Sequence, residues 1–124
     1  MKKKFKTFEE FYDYYLGQHS EWRCRLSHFI GTSLAVPLII VGAYNFIGGL
    51  LTLDLEAVIR SGWWFGAAIV TGYGPAILSH PLFQGNTALS FTNPWWAFRS
   101  DWKMWWEILA GKISIWPPPA VGDF

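Results

Sequence analysis

Residues 26–53 and 61–98 contain no Lys, Arg, Asp or Glu. The formal charges are confined to residues 2–25, 54–60, 99–112 and Asp123. A soluble fold rarely hides two such stretches. A bilayer favours them, because a charge at its centre costs about 2.5–3.5 kcal/mol on insertion scales. Composition agrees: nine Trp, 52% hydrophobic residues and 15% charged, against roughly a quarter charged in ordinary globular chains. At 124 residues the chain makes one domain, residues 1–124. The predicted class is an all-α integral membrane protein with two transmembrane helices, flanked by amphipathic interfacial helices before and after them.

The first span is expected from about His28 to Leu51, a reach of about 36 Å against a hydrocarbon core of about 30 Å. Pro37 should kink it. A connection over 52–61 carries Asp54, Glu56 and Arg60, and the second span follows from about Gly62 to Ser79. Trp63 and Trp64 suit an interfacial belt. Pro81 disfavours helix at His80, so the second span should end there. An uncharged polar loop over 81–93 then follows.

Before the spans, Thr7 and Glu10 have capping-box spacing. Phe8, Phe11, Tyr12, Tyr15 and Leu16 recur at spacings of three and four, the pattern of an amphipathic helix lying on the protein or the headgroups. Gly17 is a natural stop, and Ser20 suits the cap of a short second helix. After the spans, Asn93-Pro94 opens a helix whose Trp95, Phe98, Trp102, Trp105 and Leu109 form a stripe expected to pack on the spans. Arg99, Asp101, Lys103 and Glu107 argue against a third crossing. The tail 113–124, with Trp116-Pro117-Pro118-Pro119, should be extended.

Lys2, Lys3, Lys4 and Lys6 read as a solvated start beside lipid headgroups; the acidic amphipathic segment after them is unlike a signal-peptide core. No long basic patch is interleaved with aromatics, so nucleic acid is not an expected partner. Six Lys or Arg precede the first span, one lies in the connection and three follow the second. Both termini should therefore be cytoplasmic, in a bacterial inner membrane or the endoplasmic reticulum. Cys24 is the single cysteine, which leaves the redox compartment open.

The histidines are the most informative residues. His28 begins the first span and His80 ends the second, so an antiparallel pair brings them to one face. His19 lies in the break before the first span, on the same side. His19 and His28 are nine residues apart, on opposite sides of any continuous helix, so they can meet only if the chain bends between Gly17 and Ser20. Converging neutral imidazoles suit a first-row transition metal such as iron or zinc. A hydrogen-bonded packing role for interfacial histidines stands beside that reading.

The run from His19 through Arg25 and His28 to Gly31 and Thr32, preceded by Tyr14-Tyr15, resembles the first signature of the Mpo-like family. That signature is a Tyr-rich helix, His, eight residues, His, two residues, Gly. Gly72-Tyr73-Gly74, His80, Asn86, Asn93-Pro94, Trp96 and Asp101 line up with the second. The resemblance covers residues 8–112. Gln84 stands where the family has Glu, and Cys24 where it has Asn; a Gln can orient a partner but cannot act as a carboxylate.

The resemblance implies an iron(II)-dependent dioxygenase of 2-hydroxy fatty acids, shortening them by one carbon (α-oxidation). It implies His19, His28 and His80 as ligands of Fe(2+), with Gln84 and Asn86 bonding to a ligand or the substrate. Arg25 is expected to pair with the substrate carboxylate or anchor the interface. Asp101 is either a surface charge or an orienter of a histidine. Tyr73 reads as packing, and Gly72 and Gly74 as points of close helix approach. The expected partners are a long-chain 2-hydroxy fatty acid, molecular oxygen and the membrane; self-association is open. Two competing classes are a non-catalytic membrane module that binds lipid or protein and an interfacial metal hydrolase. A pore is disfavoured, because neither span has an internal ionisable residue.

Overall fold

The computed structural model describes residues 5–115, and all of their regular structure is helical. The Pro-rich tail and Lys2 to Lys4 lie outside the described residues. Helix α1 runs Phe8–Gly17, α2 Trp22–Thr52, α3 Leu55–Ser79 and α4 Pro94–Leu109. A π-helical turn spans His80–Gln84 and a short 3-10 turn Leu89–Phe91.

α2 and α3 form an antiparallel hairpin joined only through Leu53 and Asp54. The expected connection over 52–61 is corrected here: most of it is the start of α3. Asp54 caps α3 by accepting from the Ala57 amide at 3.3 Å. Glu56 and Arg60 then lie on its exposed side, so their charges mark a helix face rather than a loop. α2 also begins earlier than expected. Glu21 rather than Ser20 caps it, accepting from the Arg23 amide at 2.6 Å, and it runs unbroken from Trp22 through Pro37.

Small residues set the approach of the two helices. A Cβ at Gly31 would lie 2.9 Å from the Thr71 carbonyl oxygen, and one at Gly42 would lie 2.7 Å from the Phe65 ring. The close approach expected at Gly72 is present, its carbonyl oxygen 3.1 Å from a Cβ placed at Gly31, but the demand for glycine falls on α2. A Cβ at Gly72 would make ordinary contact with Ala35, and one at Gly74 would meet open space.

α1 packs on α4 rather than standing apart. Phe11, Tyr12, Tyr15 and Leu16 are buried with Ala97, Met104 and Leu89. Thr7 accepts from the Glu10 amide at 3.2 Å, as its spacing predicts, while the Glu10 carboxylate takes the Lys6 amide at 3.0 Å. The guanidinium of Arg99 lies 4.1 Å over the Phe8 ring and the Lys103 ammonium 4.3 Å over Tyr12. The most deeply buried residues of α4 are not those of the expected Trp stripe, although Phe98 and Trp102 of that stripe face α2 and α3. Ala97, Ser100 and Met104 are inside, while Trp95, Phe98 and Leu109 are exposed. Trp102 and Trp105 are half-buried, and the Trp105 indole N–H donates to Ser33 of α2 at 3.0 Å.

Among the described residues, α2 is the one helix long and apolar enough to cross a membrane. α3 has the length, at 25 residues, but its Trp, Tyr, Gly and Pro lower its hydropathy. The two spans read from the sequence are therefore met by one helix of that character. Its outer surface is apolar, with Ile30, Leu34, Ile40, Ile47 and Leu50 exposed.

Candidate metal centre

The bend over Gln18–Glu21 and the turn after α3 bring the three histidines together. His19, His28 and His80 are all buried. His19 Nε2 lies 3.0 Å from His28 Nε2 and 3.0 Å from His80 Nε2. The opposite edge of each ring faces an oxygen: His19 Nδ1 the Tyr15 carbonyl at 2.7 Å, His28 Nδ1 the Cys24 carbonyl at 2.9 Å, and His80 Nδ1 the Asn86 Oδ1 at 2.6 Å. A carbonyl oxygen only accepts, so each neutral ring carries its proton on Nδ1 and turns the lone pair of Nε2 inward. Three inward lone pairs cannot satisfy one another. A cation between them does.

Protonation is a poor substitute for a metal. Burial pushes the His19 imidazolium well below its ordinary range, with the other two imidazoles adding to the effect. Burial lowers His80 as well, opposed by its bond to Asn86. The donor set therefore fits a metal ion, and the chamber it lines, about 10 Å³, is close to the room one water-sized sphere needs.

Cys24 belongs to the same group, whose four candidate ligand atoms lie within 4.8 Å of one another. Its sulfur is 3.9 Å from His28 Nδ1, the edge turned toward the chain, and 3.3 Å from Ser79 Oγ. In sequence Cys24 stands out only as a departure from the family's Asn. Its position four residues before His28, on the same helix face, was the available signal.

The other expected site residues hold the bend. The Asn86 amide group donates to Gln18 Oε1 at 2.7 Å while its oxygen takes the His80 proton. Gln84 accepts from the Glu21 amide at 2.7 Å and donates to Ser20 Oγ at 2.8 Å. Arg25 is fully buried; its Nε donates to the His19 carbonyl and its Nη1 to the Ser114 carbonyl at 3.0 Å. Asp101 accepts from the Tyr15 hydroxyl, and the Tyr15 ring stacks on His19 with centroids 4.0 Å apart. Asp101 thus steadies a histidine through Tyr15. Burial raises its carboxyl to about 7, the Tyr15 bond opposing.

The α-helix ends at Ser79, as expected from Pro81, but His80 does not leave helical geometry. It stays helical, with φ −62° and ψ −56°, and its carbonyl accepts from Gly85 at 2.7 Å, closing a π-helical turn. Pro81 follows α3 without a break and offers no amide to the Ala76 and Ile77 carbonyls, and the helix widens at that point. Gly85 ends the turn at φ 75°, a left-handed conformation that favours glycine. The wider turn puts Gln84 and Asn86 against the Gln18–Glu21 bend.

Fold and site together define a helical protein built on a hairpin, with a buried three-histidine centre able to bind a metal at its open end. The chain belongs to the 2-hydroxy-palmitic acid dioxygenase Mpo1-like family, whose model matches residues 5–113. No curated relative and no solved structure matches it.

Proposed function

We propose that the protein is an iron(II)-dependent dioxygenase of 2-hydroxy fatty acids, working at a membrane interface with His19, His28 and His80 as its ligands. The observation that carries this reading is the inward set of three Nε2 lone pairs, in a chain whose family is described by that activity. Three neutral imidazoles with inward Nε2 atoms are a donor set that suits a first-row transition metal such as iron.

Bound iron would supply a centre where dioxygen and the two oxygens of a 2-hydroxy acid can meet. Loss of the carboxyl carbon as CO2 balances against one O2, leaving an acid one carbon shorter and one water. The protein's part is to hold three neutral rings in fixed tautomers, to exclude bulk water, and to keep its carbonyl acceptors on the far edges. Gln84 does not weaken this reading. Its bonds to Glu21 and Ser20 are ones a Glu could also make, by accepting both protons.

α2 and, as a second span, α3 would seat the hairpin in the bilayer. Outward Leu55, Ile59, Trp63, Ile69, Val70 and Leu78 support α3 in that role. Both termini then lie on the cytoplasmic side of a bacterial inner membrane or the endoplasmic reticulum.

The test is metal analysis of the detergent-purified protein, reconstituted with iron(II) under anaerobic conditions, beside His28→Ala and His80→Ala. Iron near one per chain in the parent and absent from both variants is expected. Oxygen consumption with 2-hydroxyhexadecanoate should accompany it, yielding the acid one carbon shorter. A parent that binds no metal would instead fit a non-catalytic module retaining the family fold, and bound zinc without oxygen uptake would fit a hydrolase.

A further inference from the structure

A cavity of about 240 Å³ lies between α2 and α3 beneath Phe98 and Trp102 of α4, and Asp101 lines both this cavity and the histidine chamber. The helices connect the two as well. On α2, His28, Thr32, Ala35 and Ile39 follow at spacings of four, three and four, one face of the helix. On α3, His80 is followed toward the hairpin turn by Ala76, Tyr73, Ile69 and Phe65, again at threes and fours. The first residues of each row line the chamber and the rest line the groove.

We infer that this groove seats the alkyl chain of the 2-hydroxy acid, with its head at the histidines and its methyl end toward Ile39 and Phe65. This rests on the function proposed above and adds the location of the chain. The chamber is far too small for a fatty acid. The groove is the apolar space that adjoins it, and apart from Asp101 at the shared wall no charged residue lines it. From His28 to Ile39 the face is about 16 Å long. An extended chain advances roughly 1.2 Å per bond, so about fourteen carbons fit before the chain must leave for lipid. Small residues make the space: Ala35 and Ala68 are buried on facing helices, and Gly72 lines the wall.

The experiment is photolabelling of the full chain in lipid nanodiscs with 2-hydroxyhexadecanoic acid carrying a mid-chain diazirine. It is run with and without iron, and adducts are mapped by mass spectrometry. Adducts are expected on Ile39 and Phe65, suppressed by unlabelled 2-hydroxyhexadecanoate but not by added phosphatidylcholine. Ala68→Trp should lower that labelling roughly tenfold or more while iron binding at the histidines stays at the parent level. Adducts on outward Ile40, Leu50 and Val70, indifferent to the competitor, would overturn the inference and assign the groove to ordinary lipid. The parent's map decides even if Ala68→Trp fails to fold. Groove labelling in a parent that binds no iron would refute the proposed oxygenase and leave the chain-binding site standing.

Discussion

At single residues, the site is defined less by its three imidazoles than by what holds their outer edges. Asn86 spends one end of its amide on His80 and the other on Gln18. Removing such a partner typically costs ten- to a hundredfold in metal affinity, so Asn86→Ala should weaken iron binding by about that factor, read by competition with a chelator. Gln84→Glu should bind iron like the parent, and Gln84→Ala should bind it less well. Equal affinity in all three would refute the bracing role given to Gln84. The burial of neutral His19 and His80 fixes a pH dependence with a definite sign. Their folded values lie below the unfolded value near 6.5, so the unfolded chain binds more protons in acid. Metal-free protein should keep its stability above about pH 6.5 and lose it progressively below, as thermal unfolding in detergent would show. That the histidines meet was legible from their places at span ends. That Arg25 and Gln84 brace the bend was not, because the chain atoms they bond become neighbours only after the bend forms.

Among the elements, the hairpin shows what periodicity revealed and what it concealed. Buried positions of α2 include His28, Ala35, Gly42 and Gly49, a seven-residue spacing that permits long contact between two inclined helices. Gly31 is the most demanding point, because backbone would meet its Cβ. Gly31→Leu should push α3 away beside the site and lose iron along with thermal stability, whereas Gly74→Ala should change neither. The start of α3 was hidden because Asp54, Glu56 and Arg60 look like a loop until Asp54 is seen as a cap. The buried face of α4 was hidden for a different reason. Trp is conspicuous in sequence, but the residues of α4 buried most deeply are Ala97, Ser100 and Met104. The tie between α1 and α4 carries a second sign. Asp101 rises from 3.8 to about 7 in the fold, so the folded chain holds a proton that the unfolded chain has lost. That contribution declines as pH climbs from about 4 to 7, opposite to the histidines. Asp101→Asn should flatten the decline, measured by unfolding across that range.

For the whole molecule, the family assignment covers nearly the entire chain, and the helical class was readable from its uncharged stretches. The membrane arrangement is the part that needs a bilayer to test. In a Cys24→Ser background, Leu53→Cys should react with an impermeant maleimide from one side of sealed vesicles, and tags at the two termini should be accessible only from the other. Labelling of Leu53→Cys and of the tags from one and the same side would exclude two crossings.

The hairpin is closed covalently at one end only, through Leu53 and Asp54. At the other end His28 and His80 belong to different strands of that fork, and His19 to the segment that leads into it. An ion gripping all three would work as a buckle, fastening the loose tips of a two-pronged clip. Its removal should be felt unevenly: backbone amides near Cys24 and Ala76 should exchange with deuterium sooner, while those around Gly49 and Val58, beside the fused end, should hardly change.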